Sequence, residues 1–250
     1  MTKTCSDVTL EYVTCTSNPR VLHQRLLQSD CFQSESRAPL TVHINATSAA
    51  RGFNATANGT ESSQTSGTWL VWVHDDVYLP PGWEEHFKEK IKEAIQRWPK
   101  LGVVGVYGVA SMESRAANVG HVLDRGNLLK ESIPLPCLVD SLDELLLGVR
   151  LATGLRFDPE MEFDFYGTDI VLQAQTMGWD CAVVDAYCEH WSTTPLGESQ
   201  PLKLAQRIKK SAMIFEAKWA SRMPITTSCF HIAKPGDVAA WIDKYAVNST

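Results

Sequence analysis

"TWLVWVHDDVYLPPGW", residues 68–83, decides how the chain is read. Trp69 to Val73 are aromatic, aliphatic or β-branched, the composition of a strand covered on both faces. His74, Asp75 and Asp76 follow side by side, and Pro80-Pro81-Gly82 closes the run. Carboxylates at the mouth of a core need partners or an ion to be stable there. Open α/β sheets bind ligands beyond the carboxyl ends of their strands, so all three residues are read as site residues. Side chains alternate along a strand, which puts His74 and Asp76 on one face and Asp75 on the other. Asp76 is thus the first choice for a metal-facing carboxylate. The competing account is local: one aspartate caps a turn and His74 bonds a neighbour.

Working outward, Val8 to Thr14 favour a strand, "TSNP" breaks it, and Val21 to Leu27 carry a helical pattern. A second strand is expected at Leu40 to Ile44 and a short helix around Ser48 to Ala57, inside a polar stretch running to Gly67. Apolar Phe87, Ile91, Ala94 and Ile95 predict a helix over 84–97. "LGVVGVYGVA", residues 101–110, reads as one buried strand, and the turns of "SRAANVGHVLDRGN" suit a hairpin. In "CLVDSLDELLLGVR", residues 137–150, Val139-Asp140 end a strand, while Leu145 to Val149 fit a strand or a helix equally. A helix is expected from Thr168 to Met177, then a strand through "CAVVDAYCEH", then an amphipathic segment from Leu202 to Ala220 and a less regular tail. Strands alternating with helices predict an α/β layered sheet.

The 250 residues, 44% hydrophobic and 21% charged, suffice for one domain with an ample core. A net charge of -6 supplies no basic field for a phosphate backbone or an anionic bilayer, which argues against nucleic-acid and peripheral membrane roles. Seven scattered cysteines without a Cys-x-x-Cys pair indicate neither a zinc knuckle nor a disulfide framework, so reduced thiols are expected. The first residues lack a signal-peptide core, and no apolar run reaches the ~20 residues of a membrane span. The expected location is the cytoplasm, where Asn-x-Ser/Thr matches at Asn45, Asn54, Asn58 and Asn248 are incidental.

Together the motifs resemble the nucleotide-sugar glycosyltransferases of A-type fold, family 2-like, in the branch with a His-Asp/Gln-Asp-Val signature. "WVHDDVYLPPGW" resembles their Asp-x-Asp region, "SAARGFNATANG" (48–59) their donor-side helix, and "FDFYGTDIVLQAQTMGWDCAVVD" their acceptor-side segment. "CEHWS" (188–192) resembles their late histidine and "FEAKW" (215–219) their ending. The order is consistent over residues 8–220. The chain departs in two places: His74 stands at the first Asp of Asp-x-Asp, and Thr168-Asp169 stands where many relatives have Glu-Asp.

The resemblance implies an A-type domain over 1–222, with a mostly parallel central sheet flanked by helices, and a tail or extension over 223–250. It implies transfer of a sugar from a nucleoside-diphosphate sugar to a saccharide, lipid-linked or protein acceptor, with Mn²⁺ or Mg²⁺. A lone base would make the reaction inverting. Asp76 and His190 are then the metal ligands. Thr16, Ser17, Arg51, Asn54, His74 and Asp75 are the candidate nucleotide-sugar contacts. Asp169, at a helix start that favours an ionised carboxylate, is the candidate base, with Asp164 its competitor. Asp140, Asp143 and Glu144 are candidates to line an acceptor pocket or to form a solvated acidic face; Trp83 is a candidate to stack on a sugar and Trp72 is read as core. Two rivals stand beside this reading: a non-catalytic nucleotide-sugar or carbohydrate-binding module, and a metal-dependent nucleotidyltransferase or phosphohydrolase. The chain has no Gly-x-x-x-x-Gly-Lys-Ser/Thr phosphate loop to support a P-loop enzyme.

Overall fold

The computed structural model describes residues 7–33, 38–60, 67–113, 115–192 and 202–246. Along the chain lie β1 (Thr9–Thr16), α1 (Pro19–Gln24), β2 (Leu40–Ile44), α2 (Ala49–Thr60), β3 (Thr68–Val73), β4 (Val77–Tyr78) and α3 (Trp83–Arg97). The middle supplies β5 (Leu101–Gly105), β6 (Tyr107–Ser111), β7 (Ala116–Asp124), β8 (Asn127–Lys130), β9 (Cys137–Leu138), β10 (Ser141–Leu142) and β11 (Leu146–Arg150). Then come α4 (Tyr166–Thr176), β12 (Asp180–Val183), β13 (Cys188–His190), α5 (Leu202–Lys218), β14 (Ile225–Thr226), β15 (His231–Ile232) and α6 (Asp237–Ala246).

This is a mixed α/β molecule built on a seven-stranded sheet of order β2-β1-β3-β11-β5-β12-β9. β1 is parallel to β2 and β3, and β5 is parallel to β12, while β11 is inserted antiparallel between β3 and β5 and β9 runs against β12. Every residue of β3 is buried because both faces are covered. Trp69, Val71 and Val73 pack with Phe87, Ile91 and Ala94 of α3; Leu70 and Trp72 pack on the other side with Phe53 of α2 and Ile170 and Val171 of α4. Burial at about 1.5–3 kcal/mol per large side chain makes this strand a firm base for the charged residues that follow it.

The same two-sided burial settles Leu146–Arg150 as strand, with Leu145 in the turn before it. Inserted between β3 and β5, Leu146 faces one core cluster while Leu147 and Val149 face the other. Two expected single strands are broken. Residues 101–110 divide at Val106 into β5, in the first sheet, and β6, in a second sheet of order β10-β6-β7-β13-β4 with β8 on β7. Residues 181–190 divide likewise into β12 and β13. Local pattern sees an apolar run in each case and cannot see that the run changes sheets.

The consequence is positional. β4 follows β3 after only three residues and pairs with β13, so Val77 lies opposite His190, whose other neighbour, across the parallel β7–β13 pair, is Asp124. The ends of β3, β7 and β13 therefore meet.

Residues 223–246, read from sequence as a tail, form the β14–β15 hairpin and α6, which share a core cluster with α5 through Phe215, Ile225, Ile232, Val238 and Ile242. Glu216, buried within "FEAKW", accepts hydrogen bonds from the backbone N–H groups of Gly236 and Val238 and so holds the start of α6 against α5. The six described cysteines are free. No helix among the described residues is long and apolar enough to cross a membrane. Asn248 lies outside the described residues.

Candidate metal centre

His74, Asp76 and His190 each offer a ligand atom within 4.8 Å of the others, so the alternation expected at the end of β3 is present in space. Asp75 turns the other way, and its Oδ2 accepts a hydrogen bond of 2.5 Å from Thr16 Oγ1 at the end of β1. Backbone bonds fix the frame: His74 N–H donates to the Leu145 carbonyl at 3.0 Å, and Trp191 N–H donates to the Asp76 carbonyl at 3.0 Å.

Both imidazoles are oriented from behind. His74 Nε2 lies 2.7 Å from Tyr166 Oη, which also accepts from Trp72 Nε1 at 3.0 Å and donates to the Glu144 carbonyl at 3.3 Å. Burial first, then the nearby Glu144 carboxylate, raises Tyr166 well above the usual phenol range, so the hydroxyl keeps its proton. The bond between Tyr166 Oη and His74 Nε2 orients the ring so that Nδ1 lies toward Asp76, 4.0 Å away. His190 is held by Asp124 Oδ1 at 2.8 Å from Nδ1, with Nε2 at 3.2 Å from Asp76 Oδ1. Each ring thus points one nitrogen inward and uses the other for a supporting bond, the pattern of histidine ligands in metal sites.

Charge in the cluster is unevenly held. Burial lowers His74 to about 4. Burial acts the same way on His190, but the bonds to Asp124 and Asp76 outweigh it and hold that ring at about 10. Asp76 is lowered despite burial by the bond to His190 and the two histidines; Asp75 is raised, chiefly by burial. Asp76 Oδ1 is buried and, beyond its charge contacts with the two rings, has no well-directed hydrogen bond. A divalent cation fits this arrangement: it would join Asp76 Oδ1 to both rings and replace the proton on His190. Two imidazoles with one carboxylate suit Mn²⁺ and its transition-metal neighbours better than Mg²⁺, which favours oxygen.

A second layer of carboxylates adjoins the cluster. Asp143 is pinned by Leu145 N–H to Oδ1 and by Ser228 Oγ, from the β14–β15 hairpin, to Oδ2 at 2.9 Å. Half-buried Glu144 accepts from Gly167 N–H at 3.3 Å, and burial, Asp164 and Asp143 together raise its carboxyl well above the ordinary range. The approach is tight: a Cβ on Gly167 would lie 2.6 Å from the Leu142 carbonyl and 2.9 Å from Glu144 Cγ. Only glycine lets the first turn of α4 sit this close to residues 142–144. Asp164 receives both Nε and Nη2 of Arg207, at 2.8 and 3.0 Å.

Several residues expected in the site are engaged elsewhere. Asp169 has no solvent exposure; its oxygens accept from Trp219 Nε1 at 2.7 Å and Gln173 Nε2 at 2.6 Å and pair with Lys218 Nζ at 2.8 Å. A base needs a lone pair facing its substrate, and this carboxylate has committed both oxygens to bolting α4 onto α5. Asn54 is likewise withdrawn as a donor contact, since its amide brackets the backbone of Phe157 from both sides, at 2.8 and 3.0 Å. Trp83 is buried, stacks on Phe87 and donates to the Ala186 carbonyl, so it is core. Asp140 accepts from Ser111 N–H and serves a turn. Thr16 is buried behind Asp75, Ser17 is exposed at the end of β1, and Arg51 is exposed in the first turn of α2, its N–H capped by Ser48 Oγ.

Sequence reasoning placed His74 with the donor and missed its part in the cluster. The His-x-Asp spacing on a strand end, two residues on one face, was the available signal. Asp124 and Tyr166 left no such mark, because their roles follow from sheet register. A separate cavity of about 650 Å³ opens between the β6–β7 turn, α4 and the β14–β15 hairpin, lined in part by Ser111, Arg115, Asp140, Gln175, Arg222 and His231.

No family model matches the chain. Among curated proteins, the "ATP synthase subunits region ORF 6" product of Fuscovulum blasticum is 29% identical over 129 residues, 50% of this chain and 52% of that protein. The chain thus spans about half the length of the curated relative it matches. Among solved structures, A197 from STIV has a TM-score of 0.42 at 9% identity, covering 72% of this chain and 83% of that one. TarS 1-349 of S. aureus has a TM-score of 0.43 at 12% identity, covering 85% and 72%. Likeness at this level carries no argument about chemistry, which rests on the side chains above.

Proposed function

We propose that this chain is a metal-dependent glycosyltransferase of A-type fold that takes a nucleoside-diphosphate sugar as donor and a saccharide or glycoconjugate as acceptor. The observation that carries the reading is the His74–Asp76–His190 cluster at the carboxyl end of a central strand, with Asp75 and Thr16 joined beside it at the end of the neighbouring parallel strand. Such a strand-end crevice suits a nucleotide, and a cation there suits its diphosphate. When bound, the cation offsets the charge that builds on the departing diphosphate.

The chain's own residues would do the rest. Asp76, His74 and His190 hold the cation, and Tyr166 and Asp124 keep the two rings turned toward it. Asp75, Thr16 and Ser17 face the nucleoside side, and Arg51 stands at the start of the donor-side helix. Glu144 is our choice of base for the acceptor hydroxyl. It is half-buried, its backbone carbonyl meets Tyr166 Oη behind the cluster, and its carboxyl is raised well above the ordinary range by burial and by Asp164 and Asp143. Asp164 keeps its place near the site as the carboxylate that, paired with Arg207, tunes Glu144.

The donor set also favours a second reading, because two histidines and one carboxylate with open positions serve non-haem Fe(II) oxygenases. The crevice of parallel strand ends weighs for the nucleotide instead. Isothermal titration of nucleoside diphosphates with and without Mn²⁺ tests this. Metal-dependent binding that disappears in Asp76→Asn is expected; nucleotide binding indifferent to both metal and Asp76 refutes the transferase reading.

A further inference from the structure

One arginine whose backbone adjoins the cluster makes no side-chain hydrogen bond or ion pair among the described residues. Arg125 directly follows Asp124, the residue that holds His190, and its N–H donates to the His190 carbonyl at 2.9 Å. Its Nε is buried without a hydrogen-bond partner, and the side chain makes no ion pair among the described residues. A buried donor left unpaired is destabilising, and natural structures seldom retain one without reason.

The backbone at this point is unusual as well. Arg125 and Gly126 form the two-residue loop between β7 and β8, closed by the Asp124–Asn127 pair, with φ of 51° and 80°. Positive φ at both central positions is the pattern of a type I′ turn, whose first central position favours Asn, Asp or Gly. An arginine there holds a left-handed conformation that strains its Cβ. The turn also has a fixed place: Asp124, the residue before it, bonds His190 Nδ1 at 2.8 Å, and the Arg125 N–H is tied to the His190 carbonyl. Arg125 thus adjoins the metal cluster at His190.

We propose that Arg125 is an anion-binding residue that grips the diphosphate of the donor beside the cation, presenting its fork of N–H groups to phosphate oxygens. The inference rests on the transferase reading and extends it to a residue that neither motif nor spacing singled out. A guanidinium fork matches phosphate oxygens in pairs, and a fixed backbone lets it do so with little loss of freedom. A free anionic group on the acceptor offers the same chemistry without needing the cation.

The test is calorimetric titration of Mn²⁺, then of inorganic pyrophosphate with and without Mn²⁺, on the wild-type chain, Arg125→Asn and Arg125→Lys, with thermal unfolding of each. Arg125→Asn, which suits the turn, is expected to melt a few degrees higher, to keep Mn²⁺ affinity, and to bind pyrophosphate about 10- to 100-fold more weakly. Arg125→Lys, a point charge without the fork, is expected to fall between. Pyrophosphate affinity unchanged in Arg125→Asn overturns the inference while leaving the metal centre standing. Binding through Arg125 that is equally tight without Mn²⁺ overturns it in favour of an acceptor anion. Absence of Mn²⁺ binding by the wild type overturns the metal-centre reading itself, and with it a cation-assisted grip by Arg125.

Discussion

Replacing Asp169 with Asn separates the two roles that its position permits. As a base, Asp169 would matter to the chemical step and little to stability; as a bolt between α4 and α5 it would matter to stability first. The carboxylate is fully buried and takes three close donors, Lys218, Trp219 and Gln173. Hydrogen bonds to a charged group are worth about 1.5–3 kcal/mol each, and leaving a buried charge without its partner costs about 3–5 kcal/mol. Lys218 keeps its second partner, Asp158 at 2.6 Å, and its side chain is 31% exposed, so the penalty on that side is reduced. The asparagine retains one acceptor oxygen but turns an N–H₂ group toward other donors. The net loss is then about 2–4 kcal/mol, and a domain of this size loses roughly 2–4 °C in Tm per kcal/mol. Asp169→Asn is therefore expected to melt about 4–16 °C lower by calorimetry or circular dichroism. Metal-dependent nucleoside diphosphate binding, measured well below that transition, is expected to be unchanged. A variant that melts with the wild type, binds donor normally and yet transfers no sugar refutes this reasoning and returns Asp169 to the active site.

Two further outcomes follow from the second layer. Tyr166→Phe removes the oxygen that serves both His74 and Trp72, freeing His74 to turn, and is expected to weaken Mn²⁺ binding about 10- to 100-fold by titration; unaltered affinity would remove Tyr166 from the support of the metal site. Glu144→Gln is expected to suppress transfer and to stabilise the protein in a pH-dependent way. The folded-state carboxyl is raised, so near pH 4 both states are protonated and the substitution is nearly neutral. As pH rises the unfolded chain releases its proton first, wild-type stability falls until the folded-state value is passed, and the advantage of the glutamine grows to a plateau. A difference in Tm that is flat from pH 4 to 8 contradicts the assignment.

What the sequence disclosed, and what it did not, divides along physical lines. The positions of β1, β2, β3, α2, α3 and α4 were readable because each carries its own evidence: an uninterrupted apolar run, or apolar residues at i and i+4 such as Phe87 and Ile91. The breaks after Gly105 and Val183 were hidden, since leaving one sheet for another changes the partners of an apolar residue without changing its burial. Val104 and Tyr107 are both core residues on either side of the first break. Residues 145–149 were ambiguous for the opposite reason, because a run that is buried on both faces shows no period.

The site divides the same way. Asp76 and His190 were legible as polar residues at strand ends, and His74 shared the face of Asp76 by simple alternation. Asp169 misled because the feature that suggested a base, a carboxylate opening a helix, is equally the feature that lets it accept donors from another helix; only the position of Lys218 and Trp219, fifty residues away in sequence, decides which occurs. Glu144 was named from sequence only among acidic residues near an acceptor pocket, and Arg125 was not singled out. Their character comes from what surrounds them, two carboxylates for one and an unpaired donor on a strained turn for the other, and neither property belongs to a residue type. Carboxylates and histidines at a metal site advertise themselves by composition, whereas the groups that tune protons and grip anions are defined by neighbours brought together through sheet register. A search for function in such a chain is therefore best directed at polar groups that the fold leaves strained or unsatisfied, since the energy of folding gives no reason to keep them.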